Sequence, residues 1–189
     1  METLDRSFES TRAILAKVQP GDLDAATPCA SWDVSALINH FVGTARWWAA
    51  IVTGAGAGAG AGAAADVDYA AGDFASAYEE SIGIATSAFE AEGVLKQTFR
   101  LDLGEFSGAA LLGLAATEQF THGWDLARAI GHQTDLDPEL AAELFTGARF
   151  AVTDAYRGPD GVALFGPATQ APAGANPADQ LAAFLGRSV

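Results

Sequence analysis

The chain has 189 residues, half of them hydrophobic and 18% charged. That suffices for one domain with its own core and excludes disorder along the whole chain. Ten Lys and Arg against 24 Asp and Glu give a formal charge of −14. Such a surface repels phosphate backbones and anionic lipid, which argues against a nucleic-acid binder or a polybasic membrane protein. Cys29 is the one cysteine, so an intramolecular disulfide and any site built from several cysteines are excluded.

The first residues, METLDRSFESTRAIL, are amphipathic and hold no apolar run ahead of a cleavage site; the expectation is a cytoplasmic protein without a signal peptide. Leu4, Phe8, Thr11, Leu15 and Val18 recur at three- and four-residue steps and predict a first helix over 3–18. Pro20-Gly21 stops it. A second helix starts at Asp33, an N-cap residue with Trp32 and Leu37 in staple positions. Its inward stripe is Leu37, His40, Phe41, Thr44, Trp47/Trp48 and Ile51.

Residues 54–66 open on a run of alternating Gly and Ala that offers neither a hydrophobic face nor helix propensity, and predict a flexible loop. A third helix over 73–91 carries Phe74, Tyr78, Ile82, Ala85 and Phe89 on one stripe. Residues 95–103 alternate, as a short strand or an extended crossing would. Ser107 caps a fourth helix that runs to Gly131, with Phe106 and Leu111 as its staple. Asp137-Pro138 starts a fifth helix to Tyr156, and Asn176-Pro177 opens a short terminal one. The fold class is therefore all-α: a single domain over 1–189, four main helices as a bundle with crossover connections, short C-terminal helical additions and no sheet of three strands.

The fourth helix holds Glu118, His122 and Asp125 at steps of four and three, within an arc of roughly 60° at 100° per residue. Leu111, Ala115 and Ala129 share that arc, so the polar trio lies on the face directed inward. His40 falls in the apolar stripe of the second helix. Two imidazoles and a carboxylate on inward faces fit a divalent cation, zinc or alternatively nickel or iron, with open positions. Hydrogen-bonded core histidines and an ordinary i,i+4 pair fit the same spacing, and spacing alone leaves both readings open.

Asp125 reads either as a carboxylate that orients a ligand, as a base, or as a partner of Arg128 or a backbone donor. Trp32 and Trp124 read as packing residues. Cys29 reads as a buried, inert thiol, since no neighbouring cation is in view. His132 follows the helix-ending Gly131 and reads as solvent-facing.

The segments TPCASWDVSALINHFVG (27–43) and EQFTHGWDLARAIG (118–131), in that order, resemble the mycothiol-dependent maleylpyruvate isomerase N-terminal domain, of the DinB-like superfamily of metal-binding four-helix bundles. The C-terminal FLGR (184–187) resembles a small actinobacterial branch of these proteins. The resemblance implies His40, Glu118 and His122 as metal ligands and mycothiol as the thiol co-substrate. The isomerase has a second domain that helps to form its substrate site, so the resemblance carries metal binding further than isomerisation. The leading expectation is a thiol-dependent S-transferase or isomerase acting on a small electrophile. The alternatives are a metal-dependent hydrolase and a non-catalytic metal- or ligand-binding module. A monomer and a homodimer are both open.

Overall fold

The computed structural model describes residues 1–55, 67–101, 104–159 and 163–189. Its helices are α1 (Glu2–Leu15), α2 (Val34–Thr53), α3 (Phe74–Glu90), α4 (Gly108–Ala129), α5 (Pro138–Ala151) and α6 (Pro177–Phe184). A two-stranded antiparallel hairpin, β1 (Thr98–Leu101) and β2 (Gly104–Ser107), precedes α4 and is the one sheet among the described residues. The protein is an all-α, DinB-like fold.

Local chemistry explains where the helices begin. The Asp33, Asp73, Ser107, Asp137 and Asn176 side chains each accept a hydrogen bond from the backbone N–H three residues on, occupying a donor that the first helical turn leaves free. Helix α2 ends on Gly54, whose φ of 78° suits glycine. The expected flexible loop follows it, and residues 56–66 of that loop lie outside the described residues. Helix α5 ends at Ala151, short of the expected Tyr156: Val152 turns extended and Thr153 starts a separate 3-10 turn over Asp154–Tyr156. Two successive β-branched residues, which lose side-chain freedom in a helix, coincide with the break.

Around the bundle, α1 packs on α4, α4 on α2, α2 on α3, and α3 back on α1. Helices α1 and α2 thus lie on one diagonal and α3 and α4 on the other, so these two connections cross the bundle. Helices α5 and α6 pack on each other and against α4, which leaves α4 central. Its burial reflects this: every residue from Gln119 to Ala127 is buried.

Helix α1 approaches α4 closely at Gly123, where an added Cβ would collide with Thr11 Oγ1 and sit 3.1 Å from Thr11 Cα. The Thr11 hydroxyl is itself committed, donating to the Gln119 carbonyl at 2.7 Å. Gly123→Ala is therefore expected to destabilise the metal-free protein by about 1–3 kcal/mol, the usual cost of overpacking. Denaturant unfolding at constant m-value checks it, and a midpoint equal to wild type would show that α1 yields freely.

Candidate metal centre

Most of the bundle interior is apolar, and the histidines and a carboxylate meet where α2 faces α4. There the i,i+4 step of α2 places His40 and Thr44 on one stripe, and the i,i+4 step of α4 places Glu118 and His122 opposite them. The Glu118 carboxylate is the meeting point. His40 Nε2 lies 3.3 Å from Glu118 Oε1, and His122 Nε2 lies 3.8 Å from the same oxygen. One ligand atom from each of the three residues falls within 4.8 Å of the others. The two imidazole rings stand edge to face, 4.8 Å apart between centroids.

The carboxylate is held from behind. Thr44 Oγ1 donates to Glu118 Oε1 at 2.7 Å, and Gln119 Nε2 donates to Glu118 Oε2 at 2.9 Å. Gln119 is fixed in turn by its bond to the Phe41 carbonyl and by the Tyr78 hydroxyl, which donates to Gln119 Oε1 at 2.7 Å. A wholly buried tyrosine and glutamine thus spend their hydrogen bonds on the orientation of one carboxylate. Burial pushes the Glu118 carboxyl up. The His40 hydrogen bond, the charges of His122 and His40, and the Thr44 hydroxyl outweigh it, and the group lies below its ordinary range.

His122 has a different second partner. Its Nδ1 is 3.0 Å from Asp125 Oδ2, three residues along the same face. Asp125 is fully buried and ionised, so Nδ1 carries the proton and donates, which leaves the Nε2 lone pair directed at the Glu118 side. Burial lowers the His122 pKa and the nearby His40 charge adds to this, against the opposing pull of Asp125. The ring is neutral at neutral pH, the form a metal requires.

The carboxylate of Asp125 does not find its countercharge in Arg128, the candidate three residues on. Arg128 is exposed. The partner is Arg187, after α6: Arg187 Nε donates to Asp125 Oδ1 at 3.2 Å and Nη2 to Asp125 Oδ2 at 2.9 Å. Asp125 is held well below the usual carboxylate range because the Arg187 charge and the His122 hydrogen bond outweigh burial. Cys29 also reaches this cluster, with Sγ 3.3 Å from Asp125 Oδ2 and 3.6 Å from Arg187 Nη2. A cation does neighbour the thiol, contrary to expectation, yet burial and then the Asp125 charge push Cys29 up to about 12. That direction favours the protonated thiol over the thiolate.

Trp32 packs as expected, partly buried against the core, with both histidines among its neighbours. Its ring is tilted over His40 at 4.3 Å and stands 5.8 Å from His122, so it roofs the imidazole pair. Trp124 also packs inside, with Nε1 donating to Asp179 at 2.8 Å, and His132 is exposed. The His40 and Glu118 side chains retain 22% and 19% of their exposure against 9% for His122, so the solvent side of the cluster lies over His40 and Glu118.

The donor set suits a divalent metal. Ligand atoms held tetrahedrally at about 2.1 Å from zinc lie about 3.4 Å from one another, and the two histidine–carboxylate separations of 3.3 and 3.8 Å bracket that value. Cys29, His122 and Asp125 also converge within 4.8 Å. That second group is a poorer holder: Arg187 occupies both Asp125 oxygens and places its own positive charge beside the sulfur.

Residues 4–127 match the family described as the mycothiol maleylpyruvate isomerase N-terminal domain, a span that includes His40, Glu118, His122 and Asp125. Two uncharacterized proteins of Mycobacterium tuberculosis, one from each of two strains, are 38% identical over 188 residues, covering 97% of this chain and 95% of their own. No solved structure matches the chain significantly. No helix of the described residues is long and apolar enough to cross a membrane. With most of the bundle matched in order, the chain belongs to the mycothiol maleylpyruvate isomerase N-terminal domain family.

Proposed function

We propose that His40, Glu118 and His122 hold a divalent metal, most simply zinc, and that the protein uses it to bind mycothiol for reaction with a small electrophile. The observation that carries this reading is the convergence of two histidine Nε2 atoms on one buttressed carboxylate at a partly open face. A bound dication would supply Lewis acidity that deprotonates a coordinated thiol. The chain's own groups do the rest. Thr44 and Gln119 fix the carboxylate plane, Asp125 fixes the His122 tautomer, and Trp32 roofs the imidazoles and excludes water from one side.

Charge favours an anionic partner. Two neutral imidazoles and one carboxylate contribute −1, and Arg187 neutralises Asp125, so the site with a dication keeps a net positive charge within an acidic protein. In transfer, the sulfur forms a bond to carbon as the leaving group departs with its electron pair. In isomerisation, the thiol adds across a double bond, the carbon–carbon bond rotates, and elimination returns the thiol. The hydrolase alternative is weaker because Asp125, its candidate base, is fully buried with both oxygens taken.

Cobalt-substituted protein tests the reading. Mycothiol is expected to produce a sulfur-to-cobalt charge-transfer band, and thiol-dependent loss of an electrophile should accompany it. A metal-loaded protein whose spectrum no thiol perturbs would overturn the thiol part, and turnover without thiol would favour hydrolysis. Affinity should also depend on pH. Protons compete for the imidazole nitrogens, so metal affinity is expected to fall as pH drops, and because burial lowers His122 its share of the fall sets in below the ordinary imidazole value of about 6.5. Competition titrations between pH 5 and 8, on the order of the range in which imidazole titrates, check the sign.

A further inference from the structure

We propose that Arg187 is a positioning residue of the metal centre, holding Asp125 so that His122 presents Nε2 to the metal, and that the C-terminal Leu185-Gly186-Arg187 segment is thereby part of the site. The proposal rests on the metal-binding reading above and adds to it a residue outside the matched span of 4–127.

The local chain explains how the arginine arrives. Leu185 is buried and closes the last turn of α6 with its N–H on the Leu181 carbonyl. Gly186 then takes a φ of 96°, a conformation open to glycine, and its Cα side faces the backbone of Gly166 so closely that a Cβ would lie 2.6 Å from Gly166 Cα. The Arg187 N–H returns to the Ala182 carbonyl at 3.0 Å, and Thr169 Oγ1 donates to the Arg187 carbonyl at 2.7 Å. With its backbone tied on both sides, the side chain is directed across to α4. Its Nη1 donates to the Leu185 carbonyl at 3.0 Å, and Nε and Nη2 form the fork on Asp125.

The fork matters because Asp125 Oδ2 serves three groups: His122 Nδ1, Cys29 Sγ and Arg187 Nη2. Two parallel bonds to both oxygens fix the plane of the carboxylate, and hence the direction from which His122 is held. Without them, the carboxylate has no countercharge and its orientation is set by the imidazole and thiol alone. The imidazole then loses the fixed partner that selects its Nδ1–H tautomer. A lysine restores charge but not the fork.

The test uses the full-length chain, cobalt(II) as the probe, and the His122 ring nitrogens read by 15N NMR in the metal-free protein. Arg187→Met is expected to weaken cobalt binding about 10–100-fold, and to move His122 from a single Nδ1–H tautomer to a mixture. Arg187→Lys should lie between the two. In an Asp125→Asn background, Arg187→Met should add less than about twofold, because both changes cut one link. A purely structural arginine would leave the tautomer untouched. Wild-type affinity with a wild-type tautomer in Arg187→Met overturns the proposal, and if that variant does not fold, the same result in Arg187→Lys does so. Should wild type itself bind no cobalt, the metal reading falls, and the tautomer alone decides: unchanged in the variant, it overturns the positioning role; shifted, it upholds it.

Discussion

Replacing His122 with alanine is expected to weaken zinc binding about 10²–10³-fold. Structural zinc sites with four protein ligands are worth about 10–16 kcal/mol, so each ligand carries about 2.5–4 kcal/mol. With three protein donors proposed here, the loss of one leaves two, and occupancy after purification should collapse. His40→Ala should behave the same way, since its Nε2 stands at 3.3 Å from the shared Glu118 oxygen. His132→Ala supplies the control: that residue is exposed beyond the end of α4 and its loss should leave affinity unchanged. Thermal unfolding gives a second readout. Zinc at a free concentration of about 100 times its dissociation constant should stabilise wild type by about 2.7 kcal/mol, and the same concentration should shift neither histidine variant appreciably. Equal metal content in wild type, His40→Ala and His122→Ala would falsify the proposed ligand set.

The parts of this centre that could be read in the sequence are those fixed by local periodicity. The steps of four and three from Glu118 to Asp125 determine a helix face before any fold is known, and the stripe through His40, Phe41 and Thr44 determines the opposing face. Helix starts were legible for a similar reason, because Asp33, Ser107, Asp137 and Asn176 act on N–H groups within three residues. Arg187 was not legible as a partner of Asp125. It lies 62 residues further along, and only the packing of α6 on α4 and the turn at Gly186 bring it home. Arg128, three residues from Asp125 and the nearer candidate by sequence, is exposed and is not the partner. Trp32 is legible as the apolar residue ahead of the α2 cap, whereas the turn of its ring onto His40, two helical turns along, is not. The FLGR segment was the one available signal for Arg187: a glycine–arginine pair after a helix marks a turn that aims a charge, without saying where.

Asp125→Ala is expected to destabilise the metal-free protein by about 3–5 kcal/mol, because it leaves the Arg187 guanidinium buried without its countercharge. Asp125 is fully buried and the arginine side chain retains 12% of its exposure, so water can replace little of the lost pairing. The double replacement Asp125→Leu with Arg187→Met removes both charges and should recover much of that loss, since a buried ion pair is often no more stabilising than apolar groups of similar volume. Metal affinity should not recover with it, because no acceptor for His122 Nδ1 is restored; stability and binding are expected to separate in this variant. Acid provides a further sign. The folded-state pKa of Asp125 is depressed, chiefly by Arg187 and His122 working against burial, so its contribution is present above its unfolded value of about 3.9 and is lost as pH falls through the lower folded value. The wild-type advantage over Asp125→Ala is therefore expected to be full at pH 7 and to shrink in strong acid, as read from urea midpoints of metal-free protein across that range. An Asp125→Ala midpoint equal to wild type at pH 7 would mean that the guanidinium finds water on losing its partner, and that the pair is not a desolvated one.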